Sequence, residues 1–115
     1  MTFDPDAGLA QETVNEHVES SIADNEVVLF MKGTPMMPQC GYSQRALELL
    51  AKHRDDFETV DALDSLEEFR VALSEQSGWE TIPQVYVDGE FVGGSDILAE
   101  LDERGDLEET LAVEG

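Results

Sequence analysis

The chain has 115 residues, 41% of them apolar, enough for one sheet covered by helices but not for two separate cores. It carries 27 Asp and Glu against 6 Lys and Arg, a formal net charge of −21, which argues against nucleic acid and anionic membranes as partners, since both are bound chiefly through cationic side chains. The ordinary apolar content argues against disorder, and no apolar run approaches the roughly 20 residues of a membrane-crossing helix.

The acids are spread along the whole length, and the only lysines are Lys32 and Lys52. This pattern reads as adaptation to high salt, because self-repulsion destabilises a compact anion until roughly molar salt shrinks the screening length to about 3 Å. An acidic protein from ordinary salt shares the composition. The acidic stretch Met1 to Asn15 lacks the basic and apolar regions of a signal peptide, so a cytoplasmic location is expected. One cysteine, Cys40, permits no internal disulfide.

In chain order, Leu9 to Ala23 places Leu9, Val14, Val18 and Ile22 four or five apart, as in an amphipathic helix. Val27 to Met31 is a continuous apolar run of strand length, expected to be buried on both faces. After Lys32, the residues Gly33, Pro35 and Pro38 predict a loop up to Cys40. Ser43 to Lys52 is rich in helix formers, with Ala46, Leu47, Leu50 and Ala51 on one face. Phe57 to Val60 predicts a strand and Ser65 to Ser77 a helix, while Gln84 to Val87 and Glu90 to Val92 form a hairpin about Asp88-Gly89. A last helix spans Asp96 to Arg104. The alternation implies an α/β domain, a mixed sheet flanked by helices on both faces. A single domain over 1–115 is expected, with 1–8 a loose extension.

A lone cysteine is often a small buried filler. Here Cys40 stands between a Gly- and Pro-containing loop and the start of a helix, where backbone N–H groups and the helix dipole favour the thiolate. Lys32 is either a cation in direct contact with that site or a solvated lysine at a strand end. His17 and His53 fall in helical surface patterns and read as solvated rather than as metal ligands.

The run Lys32-Gly33-Thr34-Pro35-Met36-Met37-Pro38-Gln39-Cys40-Gly41-Tyr42-Ser43 resembles the active-site loop of the monothiol glutaredoxins, whose motif is Cys-Gly-Phe-Ser after a lysine. The likeness continues through Trp79, Thr81-Ile82-Pro83 and Gly93-Gly94-Ser95-Asp96. It implies a thioredoxin fold with a four-stranded mixed sheet and a cis peptide before Pro83. It also implies that glutathione or a related low-molecular-weight thiol binds with its carboxylate at Lys32 and Arg70. The thiol's backbone would then lie at Ile82 and its γ-glutamyl end at Ser95 and Asp96. Tyr42 replaces the usual Phe, and Glu80 follows Trp79 where proline is common. Trp79 is either core or a support for the site. Ser43 occupies the position of the second cysteine in dithiol members.

The resemblance implies two activities. The first is binding a bridging [2Fe-2S] cluster for transfer to iron-sulfur recipient proteins. Such clusters commonly take four thiolates, so one Cys40 per chain, acting as catalytic thiol and metal ligand, predicts a homodimer bridged by the cluster with two small thiols, and a monomer when apo. The second is weak thiol-disulfide oxidoreductase activity on mixed disulfides, since thiol exchange needs only one attacking thiolate. An interaction module with an idle cysteine is a third reading.

Overall fold

The computed structural model describes residues 10–112; Leu9 and the expected extension over 1–8 lie outside them. The central element is β1 (Val27–Met31), buried at every position as its unbroken apolar run requires. It lies between β2 (Glu58–Asp61), parallel to it, and β3 (Gln84–Val87), antiparallel to it, with β4 (Glu90–Gly93) beyond β3. The four strands are ordered β2-β1-β3-β4, the mixed sheet expected.

Alternation along the strands supplies two apolar faces. Val28, Phe30, Val60 and Tyr86 face Val14, Val18 and Ile22 of α1 (Gln11–Asp24) and Phe69, Ala72 and Leu73 of α3 (Leu66–Ser77). Val27, Leu29, Met31 and Val85 face Ala46 and Leu50 of α2 (Gly41–His53) and Leu98 of α4 (Ser95–Glu103), together with Leu107 and Leu111 of α5 (Leu107–Leu111). A leucine or aromatic truncated to alanine in either layer loses about 2–5 kcal/mol.

Several boundaries differ from the sequence reading. Helix α2 starts at Gly41 rather than Ser43, because Cys40 carbonyl already accepts the Gln44 N–H at 3.0 Å. β2 is displaced by one residue to Glu58–Asp61, and a short 3-10 turn, Leu63–Ser65, precedes α3. The last expected helix starts at Ser95 and ends at Glu103. A fifth helix, α5, follows Gly105, where no helix was expected; Leu107 and Leu111, four apart, drive it into the core. Ala51 is exposed, and the partly buried Leu47 and Leu49 flank the apolar face of α2 instead.

Candidate functional site

Cys40 is the N-cap of α2, with extended backbone (φ −151°, ψ 133°). Burial pushes the thiol pKa up, but the backbone N–H groups of Ser43 and Tyr42, the Ser43 hydroxyl and the Lys32 charge outweigh it and hold Cys40 below the ordinary thiol range. The helix start therefore favours a thiolate, as its position in the sequence implied.

Ser43 has a role that the sequence reading did not assign. Its hydroxyl is fully buried and accepts the Lys32 N–H at 3.0 Å, which leaves its single proton free to go to the Cys40 sulfur. One side chain thus ties the end of β1 to the first turn of α2 and stabilises the thiolate. Its signal in the sequence was the polar residue three positions after the N-cap.

The loop between Lys32 and Cys40 is closed on itself. Gln39 N–H donates to Lys32 carbonyl at 2.9 Å, Gly33 and Pro38 form an isolated bridge, and Thr34 and Met37 exchange backbone hydrogen bonds. Gly33 has φ +93°, and a Cβ there would sit 2.5 Å from Met37 carbonyl oxygen, so the closure requires glycine. Asp61, at the end of β2, accepts the Gly33 N–H and the Leu63 N–H, each at 2.9 Å. Met36 and Met37 are left at the tip, exposed to solvent.

Beside this loop, the segment from Gly78 to Pro83 is held by a buried glutamine that the sequence reading passed over as a strand residue. Gln84 Nε2 donates to Trp79 carbonyl (2.8 Å) and Thr81 carbonyl (3.0 Å), while its Oε1 accepts the Tyr86 hydroxyl at 2.8 Å. Two carbonyls on one side and a hydroxyl on the other fix the orientation of the amide. The peptide bond between Ile82 and Pro83 is cis, as the resemblance implied.

Tyr42, Trp79, Thr81, Ile82, Pro83, Ser95 and Asp96 line one groove of about 560 Å³. Trp79 is 60% exposed and stacks obliquely on Phe91 at 6.5 Å, so it is a wall of the groove rather than core. Ser95 is buried in the first turn of α4 and Asp96 is exposed beside it. Gly93 turns the chain into α4 with φ +151°, where a Cβ would lie 2.6 Å from Ile97. Lys32 acts on the site through its charge on Cys40. Arg70 is not part of the groove lining; it lies on α3 with Nη1 2.6 Å from Glu67 Oε1.

Of the two histidines read as solvated, His17 is exposed and meets the edge of Phe69. His53 departs from that reading: its side chain is 18% exposed and its Nε2 lies 2.6 Å from Asp102 Oδ1. Among the described residues no three His, Cys, Asp or Glu side chains gather into a metal site. No described helix is long and apolar enough to cross a membrane.

A thioredoxin fold with one stabilised cysteine at the start of the helix after the first strand defines a class of thiol redox proteins. The glutaredoxin family model matches residues 27–92. A monothiol glutaredoxin of Synechocystis, itself uncharacterised, is 49% identical over 96 residues, 84% of this chain and 89% of that one. Glutaredoxin 4 of Escherichia coli is 40% identical over 99 residues, covering 86% and 85% of the two chains. The solution structure of reduced apo GrxS14 from poplar superposes with a TM-score of 0.74 at 40% identity, covering 90% of this chain and 94% of the other. The chain belongs to the glutaredoxin family, within its monothiol group, whose members serve in thiol redox chemistry and use glutathione.

Proposed function

We propose that the protein binds glutathione or a related thiol beside Cys40 and, as a pair of chains, carries a bridging [2Fe-2S] cluster to recipient iron-sulfur proteins. The observation that carries this reading is Cys40 at the N-cap of α2, where the helix start favours its thiolate, with no second cysteine in the chain. A thiolate is the form that ligates iron. One chain supplies a single sulfur ligand, so the cluster fits only where a second chain and two small thiols complete the set.

In this reading the groove holds the small thiol. Its peptide backbone pairs at Ile82 beside Pro83, its α-ammonium sits at Asp96 with Ser95, and Tyr42 walls the position next to Cys40. Lys32 takes a carboxylate. Arg70 serves the same end by exchanging Glu67 for the ligand, and an exposed pair three residues apart on a helix costs only about 0.2–0.5 kcal/mol to break. The domain spans the chain, and the protein works in the cytoplasm of a cell with high internal salt; the charge of −21 supports the last point.

A second reading, thiol-disulfide exchange on glutathionylated proteins, is favoured by the same lowered thiol pKa. The Cys40 thiolate attacks the glutathione sulfur, the protein thiolate leaves, and a free thiol then regenerates Cys40. Anaerobic reconstitution with iron, sulfide and glutathione in molar salt separates the two. A coloured dimer that depends on glutathione and is absent in Cys40→Ser supports cluster transport. A colourless monomer that still exchanges mixed disulfides supports the second reading and ends the first.

A further inference from the structure

All six Lys and Arg side chains lie among the described residues. Four of them are paired with carboxylates: Lys52 with Asp102, Arg54 with Glu26, Arg70 with Glu67, and Arg104 with Glu100 and Asp106. The other two, Lys32 and Arg45, have no carboxylate of the described residues within ion-pair distance. In a chain with 27 acids that separation needs a reason. Both lie near Cys40 in the chain, Lys32 just after β1 and Arg45 five residues into α2.

Lys32 is accounted for by its pull on the thiolate, but the Arg45 charge is not among the influences on Cys40. Nor does Arg45 serve its own helix. It lies five residues from the N-cap, in the half where the dipole disfavours a cation. Glu48, the carboxylate one turn further on, instead accepts from Gln44 Nε2 at 3.3 Å. Arg45 shares its helix face with Gly41, one turn toward Cys40, and helical side chains lean toward the N-terminus over that preceding turn. A Cβ at Gly41 would meet nothing within 4 Å, so the surface of the first turn, next to the cysteine and within reach of Arg45, is open.

We infer that Arg45 is a specificity residue for the polypeptide partners of Cys40, receiving a carboxylate that flanks the partner's reacting cysteine. The groove residues Ser95 and Asp96 serve the small thiol in the reading above, on which this inference rests; Arg45 serves the protein side of the exchange. Two effects of charge are opposed here. The net charge repels an acidic partner at long range, while the unpaired guanidinium attracts its carboxylate at contact. At about 1 M salt the screening length is about 3 Å, so the repulsion is removed and the contact persists.

The test uses three synthetic peptides that differ only in the residues flanking one cysteine, Glu, Ser or Lys, each activated as a mixed disulfide with an aryl thiol. The Cys40 thiolate attacks the peptide sulfur, a new disulfide joins the two, and the coloured aryl thiolate leaves, so the rate is read by absorbance. In about 1 M potassium chloride the Glu peptide reacts roughly threefold faster than the Ser peptide with the wild-type protein, and the advantage is lost in Arg45→Gln but kept in Arg104→Gln. Equal rates for the three peptides, or an advantage that survives Arg45→Gln, overturn the inference and leave the proposed function standing. No reaction with any peptide overturns both, since Cys40 is then not an accessible thiolate.

Discussion

Helix α2 ends in two contrasting environments. At its start, backbone and Ser43 hydrogen bonds hold the Cys40 thiol below its ordinary pKa, Lys32 and Arg45 have no carboxylate partner among the described residues, and Met36 and Met37 stand in solvent. At its end Lys52, His53 and Arg54 all have partners. Lys52 Nζ and His53 Nε2 meet the two oxygens of Asp102 on α4 at 2.9 and 2.6 Å, and Arg54 Nη2 reaches Glu26 at 2.9 Å while its Nη1 donates to the last carbonyl of α5, at Leu111, at 2.9 Å. Both ends obey the dipole, a thiol biased toward its anion at the N-terminus and the cations Lys52 and Arg54 at the C-terminus. The difference lies in what completes the charges: the chain itself at one end, and a ligand or partner at the other. Stability and reactivity are thereby set at opposite ends of one rigid element, and each should be open to change without the other.

The strongest way to break the contrast is Ser43→Ala, since Ser43 belongs to both the fold and the thiolate. Removing the hydroxyl strands the part-buried Lys32 N–H, and stability should fall by about 1–3 kcal/mol in denaturant titration. The thiol pKa should rise, and alkylation of Cys40 near neutral pH should slow roughly three- to tenfold, part of the lost thiolate fraction being offset by its greater nucleophilicity. An unchanged pH-rate profile would show that Ser43 does not touch the sulfur.

Asp102→Asn probes the other end and should leave Cys40 alkylation unaltered. Hydrogen bonds from His53 and then Lys52 hold the Asp102 carboxyl below the usual carboxylate range. A carboxylate whose pKa is depressed by folding stabilises the fold fully above its unfolded value, about 4, and loses that contribution as pH falls through the lower folded value. Thermal unfolding should therefore place the variant a few degrees below wild type at neutral pH, and the two curves should converge in acid. A constant difference down to the acid limit would mean that packing, not the charge, holds α2 to α4.

The elements that position the site were largely legible in the sequence, because β1 has no polar interruption and the Gly- and Pro-containing loop cannot continue it. The carriers of the geometry were not. Gln84 looks like any residue at the start of a strand, and its four side-chain hydrogen bonds appear only when Ser77, Trp79, Thr81 and Tyr86 are brought around it. Asp61 is one of 27 acids until the loop folds over it. The resemblance gives Arg70 to the thiol's carboxylate, because spacing shows that Glu67 is three residues away and not that the pair forms. Helix α5 was missed because its five residues offer only Leu107 and Leu111 as an apolar pattern, too few for a period to emerge, and it is tertiary burial that makes them helical. His53 was misjudged for a related reason, since its partner Asp102 lies 49 residues away.

The smallest expected effect sharpens the contrast without altering a residue. Met31, at the end of β1, is 0% exposed, whereas Met36 and Met37, in the loop that leads to Cys40, are 90% and 67% exposed. Hydrogen peroxide delivers one oxygen to a thioether, giving the sulfoxide and water, and in a folded protein the rate follows access to the sulfur. With Cys40 first blocked as a reversible mixed disulfide, peptide mapping by mass should find Met36 and Met37 oxidised while Met31 stays reduced until the chain unfolds. Because both sulfurs already face water, the sulfoxides should change thermal stability very little. They would, however, make the rim of the Cys40 loop polar, so exchange with a protein substrate should slow by up to about twofold while exchange with a small thiol does not. Equal slowing of both would mean that the loop tip shapes the thiolate itself and not only the surface a partner meets.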